Sequence, residues 1–193
     1  MVLSLFPIHN FPSESFALIF TIIFVFIILV ESRVLLRNRE KKEDKSSLKF
    51  ILIGIFLPLS IMIILSFFRV GQLPLIFGYF GLIILLNGFI IRQYSIFILG
   101  KFFGPVVMKQ KDQILIKNGP YRYIRHPSYT GLFLELIGVS FSLSNWISSL
   151  LVIVFFVPVI INRIRIEEKF MISNFKEYNH YQKETWKLIP FVY

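Results

Sequence analysis

Phe16-Ala17-Leu18-Ile19-Phe20-Thr21-Ile22-Ile23-Phe24-Val25-Phe26-Ile27-Ile28-Leu29-Val30 runs without a charge and continues through Glu31, Ser32 and Arg33 to Leu36. As a helix it is long enough for a hydrocarbon core of about 30 Å, which takes roughly 20 residues. Phe50 to Phe68 and Leu75 to about Ile91 repeat the pattern. Hydrophobic residues make up 55% of the 193-residue chain, with 23 phenylalanines, more than a soluble domain of this size needs. Open sheets leave backbone groups unsatisfied in lipid, so the spans are expected to be helices and the fold class all-α integral membrane.

Two shorter runs, Thr130 to Leu143 and Trp146 to Asn162, complete five transmembrane helices and meet at a turn near Ser144 and Asn145. The fourth span is short by itself and is expected to pair tightly with the fifth as a helical hairpin. Pro58 predicts a kink in the second span. Residues 1–193 read as a single membrane domain. Its N-terminal three-helix part covers 1–91, and 92–193 hold a connector, the hairpin and a C-terminal helical tail. The first run is not expected to be a cleavable signal peptide: no Lys or Arg precedes it, it is too long, and no small-residue cleavage site follows.

The net charge is +10, from 21 Lys and Arg against 11 Asp and Glu. With the amino terminus outside, the loop at 37–49, the connector at 92–129 and the tail all lie inside. Arg69 is then the one basic residue outside, and the other 20 (21 − 1) lie on the cytoplasmic side or at its boundary. This positive-inside bias accounts for the charge as topology and attraction to anionic headgroups rather than nucleic-acid binding.

Several chemistries are missing. There is no cysteine, hence no thiolate metal site, disulfide or cysteine nucleophile. No Gly-rich GxGxxG or P-loop element occurs, so neither a Rossmann dinucleotide site nor a triphosphate site is indicated. His9, His126 and His180 are far apart in sequence, and no metal is expected.

The polar groups gather instead at Gly119-Pro120-Tyr121-Arg122-Tyr123-Ile124-Arg125-His126-Pro127-Ser128-Tyr129-Thr130-Gly131, the foot of the fourth span. Such density is costly there unless the groups pair with one another or with a ligand. Pro127 biases His126 towards an extended backbone and suits the first turn of a helix, whose N–H groups favour an anion. His126 therefore reads either as a ligand contact or as a cap. Tyr121, Tyr123 and Tyr129 read as ligand-stacking rings or as an interfacial belt. Arg122 and Arg125 read as topology and headgroup contacts.

Arg163 and Glu167 form a second cluster, four apart on one helix face, with Pro158 one turn earlier to aim that face inward. A plain surface ion pair is the alternative, contributing a few tenths of a kcal/mol. Glu135, two turns into the fourth span, needs a partner or a water path, and the two stay open. Met171, Phe175 and Tyr178 make an amphipathic face in the tail. Trp186, Leu188, Ile189, Pro190 and Phe191 are too apolar for a free end and are expected to dock on the membrane or over the site.

The ordered set carries a resemblance. Gly119-Pro120-Tyr121, Arg125-His126-Pro127-Ser128-Tyr129 with Gly131, a helical hairpin, Arg163 to Glu167-Glu168, Phe175, Glu177-Tyr178, Tyr181 and Leu188-Ile189-Pro190-Phe191 together resemble the isoprenylcysteine carboxyl methyltransferase family. The likeness covers the last half of the chain, from Val106 onward. It implies S-adenosylmethionine as cofactor and a lipophilic, isoprenylcysteine-like carboxylate as acceptor at the cytoplasmic membrane surface. That membrane would be the cell membrane in a prokaryote and the endoplasmic reticulum in a eukaryote.

By resemblance, Met108, Gln113, Ile114, Leu115, Ile116, Tyr121, His126, Pro127, Ser128, Tyr129 and Glu167 hold the cofactor. Arg163 faces the substrate carboxyl and, with Glu167, forms the catalytic pair. The chain departs from eukaryotic members at two cofactor-contacting positions, where Met108 and Gln113 stand in place of a glutamine and a histidine. It also lacks their extra spans, which fits a small prokaryotic relative. Alternatives are a phospholipid or other amine N-methyltransferase, a steroid-reductase-type membrane reductase, and a non-catalytic membrane scaffold.

Overall fold

The computed structural model describes residues 14–36, 45–68, 70–104 and 112–190. Its elements in order are α1 (Glu14–Leu36), α2 (Lys45–Phe67), α3 (Ile76–Leu99), α4 (Pro127–Ser142), α5 (Trp146–Leu151), α6 (Val157–Asn174) and α7 (Tyr178–Glu184). Short 3-10 turns cover Gly100–Phe102 and Gly119–Arg122, and a π-helical turn, Val152–Phe156, joins α5 to α6 as one continuous helix. No β-strand occurs among the described residues, only two isolated bridges.

Four helices are long and apolar enough to cross a membrane: α1, α2, α3 and the continuous helix Trp146–Asn174. α4 has 16 residues, less than such a crossing takes. It starts at Pro127, as the proline at a first helical position predicts.

α4 packs most extensively on α3, not on the helix that follows it. The reason lies in four glycines. A Cβ added to Gly81 would stand 2.2 Å from the backbone N of Ser142, and one on Gly88 would stand 2.7 Å from that of Glu135. From the other side, a Cβ on Gly131 would meet Arg92 at 2.6 Å and one on Gly138 would meet Leu85 at 2.4 Å. Small residues let two helix backbones touch, which is how helices associate where no hydrophobic driving force separates lipid from leucine. Leu85, Leu132, Leu136, Val139, Val152, Phe156 and Ile160 fill the core around this contact, with Met62 from α2 and Phe16 and Phe20 from α1.

α3 does not stop near Ile91 but carries Arg92 to Leu99 as helix. The expected connector therefore begins later, at Gly100. A buried guanidinium is tolerated on α3 because Glu31 of α1 meets it in two bonds, Nε to Oε1 at 2.8 Å and Nη2 to Oε2 at 2.7 Å. Gln93 adds a bond to Glu31 Oε1 at 2.7 Å, and edge-on ring pairs Phe16–Tyr79 and Phe26–Phe89 hold α1 along the rest of α3.

At the opposite end Asn145 organises the turn expected there. Its side chain accepts from the Ser148 backbone N–H at 3.0 Å, capping α5, and donates to Val70 O at 2.6 Å. The π-helical turn sits just before Pro158, which has no N–H to give the ladder, so the turn widens there. α6 then runs to Asn174, and Phe175 ends it in extended backbone. Met171, Phe175 and Tyr178 thus do not share one helix face: the break falls between them.

The α3–α4 contact has a measurable consequence. Gly138→Leu is expected to lower stability by about 1–3 kcal/mol or more, as overpacking does, because backbone rather than a flexible side chain stands in the way. Thermal unfolding in detergent checks this against Gly100→Leu, where nothing lies within 4 Å of the added Cβ although its φ is +52°.

Candidate functional site

In the loop from Tyr123 to His126 the N–H groups of Arg125 and His126 and the carbonyl of Tyr123 are not taken up by the flanking helical turns. The tail takes them up. Arg125 N–H donates to Trp186 O at 2.7 Å, His126 N–H to Lys187 O at 3.0 Å, and Trp186 N–H to Tyr123 O at 3.0 Å. Thr130 Oγ1 adds a bond to Leu188 O at 2.8 Å. The apolar tail therefore docks on the loop itself. Phe191 and Met108 lie outside the described residues.

Arg125 is not a headgroup contact, contrary to the sequence reading. It is buried. Its Nε meets Glu168 Oε1 at 2.8 Å, and its Nη1 donates to Gln182 O at 3.0 Å and to Thr185 O. Lys187 approaches Glu168 Oε2 at 3.8 Å. A guanidinium has enough donors to serve a carboxylate and two carbonyls at once, which an ammonium at a membrane surface would leave to water. Arg122 is exposed, with its guanidinium 6.0 Å from the Tyr123 ring.

One residue earlier on α6, Glu167 faces a different set. Its Oε1 accepts from Arg163 Nε at 2.8 Å and from the Tyr129 hydroxyl, and its Oε2 lies 3.4 Å from His126 Nδ1. Arg163 is only 2% exposed, so the pair is not the surface ion pair that its spacing allowed. Two partners on one carboxylate oxygen make charge-assisted bonds, the stronger kind.

His126 stands between Glu167 and Glu168, with Nε2 3.6 Å from Glu168 Oε1. That distance suits an ion pair but not a hydrogen bond, and Nε2 has no hydrogen-bond partner among the described residues. Burial by itself works against the charged imidazolium, but the two carboxylates outweigh it and raise the pKa of His126 above its ordinary 6.5. The ring stacks beside Tyr129, centroids 5.9 Å apart.

These groups border a cavity of about 160 Å³. Of the residues expected at a cofactor site, Gln113, Ile114, Leu115, Ile116, Tyr121, His126, Ser128, Tyr129 and Glu167 all line it. Pro127 is buried in the first turn of α4 and does not. Arg163 stands behind Glu167 rather than in the lining. Tyr121 is fixed through its own carbonyl, which accepts from the Tyr181 hydroxyl at 2.6 Å.

Other lining residues escaped the sequence reading: Phe102, Phe103, Phe170, Met171, Tyr178 and Tyr181 among them. The amphipathic face through Met171 and Tyr178 was the available signal for two of these. Glu168 and Arg92 were also missed as site-builders. Arg92 Nη1 donates to Ser128 O at 3.1 Å, so α3 fixes the first turn of α4 at the cavity wall.

A second cavity, about 220 Å³, lies among α1, α2 and α4 and shares Phe103, Gly104 and Tyr129 with the first. Its walls are mostly hydrocarbon, with Glu31, Arg92 and Glu135 as the charged exceptions.

Residues 81–173 match the family described as the isoprenylcysteine carboxyl methyltransferase (ICMT) family. The chain is 34% identical over 115 residues to the protein-S-isoprenylcysteine O-methyltransferase of Saccharomyces cerevisiae, covering 58% of this chain and 48% of that one. It is 34% identical over 96 residues to the enzyme of the same name from Schizosaccharomyces pombe, covering 48% and 41%. The chain thus spans about half the length of these curated relatives. It also resembles the solved structure of the eukaryotic intramembrane Ras methyltransferase ICMT, with a TM-score of 0.59 and 26% identity over 73% of this chain and 52% of that one. The geometry, the four membrane-length helices and the match through residues 81–173 agree in likening this chain to the isoprenylcysteine carboxyl methyltransferase family.

Proposed function

We propose that this protein transfers a methyl group from S-adenosylmethionine to the carboxylate of a lipophilic, isoprenylcysteine-like acceptor. The observation that carries this is the Tyr129–Glu167–Arg163 group at the edge of a cavity lined by nine of the residues expected to hold the cofactor. The printed names of the relatives, protein-S-isoprenylcysteine O-methyltransferase, support the same reading.

The residues around the smaller cavity suit that cofactor. It is a cation with an amino-acid end, a ribose and a flat base. Glu167 provides negative charge, Tyr121, Tyr178 and Tyr181 provide aromatic faces, and His126 Nε2 is a buried polar atom still without a hydrogen-bond partner among the described residues. When bound, the cofactor supplies a methyl group activated on sulfonium sulfur.

The chain's own part is to bind, orient and exclude water. A carboxylate is its own nucleophile at neutral pH, so no general base is required. Opposite charges vanish as the methyl moves, so a dry, aligned site lowers the barrier. Arg163 lines neither cavity and holds Glu167 through Nε; by the family likeness its planar fork would orient the acceptor carboxylate. Tyr129 donates to the same oxygen of Glu167.

The lipid part of the acceptor occupies the larger cavity, which meets the smaller one at Tyr129. Residues 92–193 carry the reaction on the cytoplasmic side, and 1–91 form the rest of the membrane part. The concentration of Lys and Arg in the loops assigned to that side supports this orientation.

Three outcomes are expected. Glu167→Gln keeps the shape and loses the charge, so affinity for S-adenosylmethionine falls about tenfold or more. Calorimetry with the cofactor and its demethylated product measures it, and unchanged affinity would overturn the assignment. Arg163→Lys keeps a charge but loses the fork. Turnover drops about 100-fold while cofactor affinity changes far less; equal loss of both counts against the orienting role.

The third concerns pH. The folded-state value of His126 lies above 6.5, so the imidazolium contributes its full stability below pH 6.5 and loses it as pH rises through the raised value. Unfolding temperature followed upward from pH 6.5 therefore declines in the wild type, and His126→Gln flattens that decline.

A further inference from the structure

Glu135 is the one charged-type side chain of the larger cavity whose bonding is unaccounted for. The Arg92 bonds go to Glu31 and to Ser128 O, and Glu31 also takes Gln93. Glu135 lines the same cavity, is 5% exposed, and its Oε1 accepts no hydrogen bond from any described residue. An acid placed among Leu132, Leu136, Ile55 and Leu59 with an open acceptor costs free energy that a fourth leucine would not. A carboxyl accepts a hydrogen bond whether ionised or protonated and, when protonated, also donates one, so the partner that suits it in either state is a group that can do both.

We infer that Glu135 selects an acceptor whose lipid chain carries a hydroxyl group inside the larger cavity, rather than a plain hydrocarbon chain. The inference rests on the proposal that this cavity holds the lipid part of the acceptor. A hydroxyl, unlike an ammonium, enters hydrocarbon without bringing a full charge that must be desolvated.

The helix sets where the hydroxyl sits. Tyr129 and Glu135 are six positions apart on α4 (135 − 129), a rise of about 9 Å at 1.5 Å per residue. Tyr129 stands at the junction with the smaller cavity, so the hydroxyl lies roughly that far inside from the carboxylate end. For an extended chain that is about seven carbons, since each carbon spans somewhat less than the rise per helical residue.

The test uses the purified full chain in lipid nanodiscs. Thioether carboxylic acids with a plain decyl chain, with a hydroxyl at each of carbons 5 to 9, or with an amine at the same carbons compete against a radiolabelled S-farnesyl thioether carboxylate. Binding is read without cofactor, and methyl transfer from labelled S-adenosylmethionine is read separately. The wild type is expected to bind one hydroxylated chain, near carbon 7, about tenfold more tightly than the plain chain. Glu135→Leu reverses the preference, and Glu135→Gln, which keeps a carbonyl acceptor, retains part of it.

Equal binding of plain and hydroxylated chains by the wild type overturns the inference. So does an unchanged preference in Glu135→Leu, a preference for the amine, or failure of every chain to compete. A Glu135-dependent binding preference without any methyl transfer supports the inference and sinks the carboxyl methyltransferase reading instead.

Discussion

The contact of α3 with α4 is the constraint on which the rest depends. Gly81 and Gly88 of one helix and Gly131 and Gly138 of the other leave no room for a single Cβ between the backbones. At that separation Arg92 reaches Ser128 O, and the loop before α4 is held against the same wall as the end of α3. Both cavities are bounded by residues of these two helices, so a wider crossing would pull Leu99 and Phe103 away from Tyr129.

Two adjacent acids on α6 divide the electrostatics. Successive residues on a helix point about 100° apart, so Glu167 and Glu168 cannot face one partner set. Glu167 turns to Arg163, Tyr129 and the smaller cavity, and Glu168 turns to Arg125 and Lys187. His126 sits between them and draws on both. The cavity-facing charge and the structural charge are therefore linked through one imidazole, so a change in either is felt by the other.

What was legible in the sequence followed from local rules. Pro127 at the head of α4, the turn at Ser144 and Asn145, and the membrane-length runs needed only nearby residues to be read. What was misread depended on distant partners. Arg92 looked like the end of a span because a lone charge in lipid is costly, yet its partner Glu31 stands 61 positions earlier. Arg125 looked like a headgroup contact because nothing beside it announces that the Gln182 and Thr185 carbonyls return to meet it. The glycines seven apart in α3 and α4 were visible, but their interlock belongs to neither segment alone. The cavity-lining set came mainly from the family pattern, in which the tyrosines of α7 stood without an assigned place at the cofactor.

The docking of the tail also sets an order of events. The N–H groups of Arg125 and His126 are satisfied by carbonyls of Trp186 and Lys187, and Arg125 Nη1 by carbonyls 57 and 60 positions downstream. Chains are made from the amino end, and their parts fold largely in that order. The spans α1 to α3 can pair while the tail is still unmade, but the N–H groups of Arg125 and His126 lack the carbonyls that take them up until Trp186 and Lys187 have emerged. The helices are thus assembled in the bilayer before the wall of the smaller cavity exists, and a nascent chain halted short of that residue carries every membrane-length helix and no finished site.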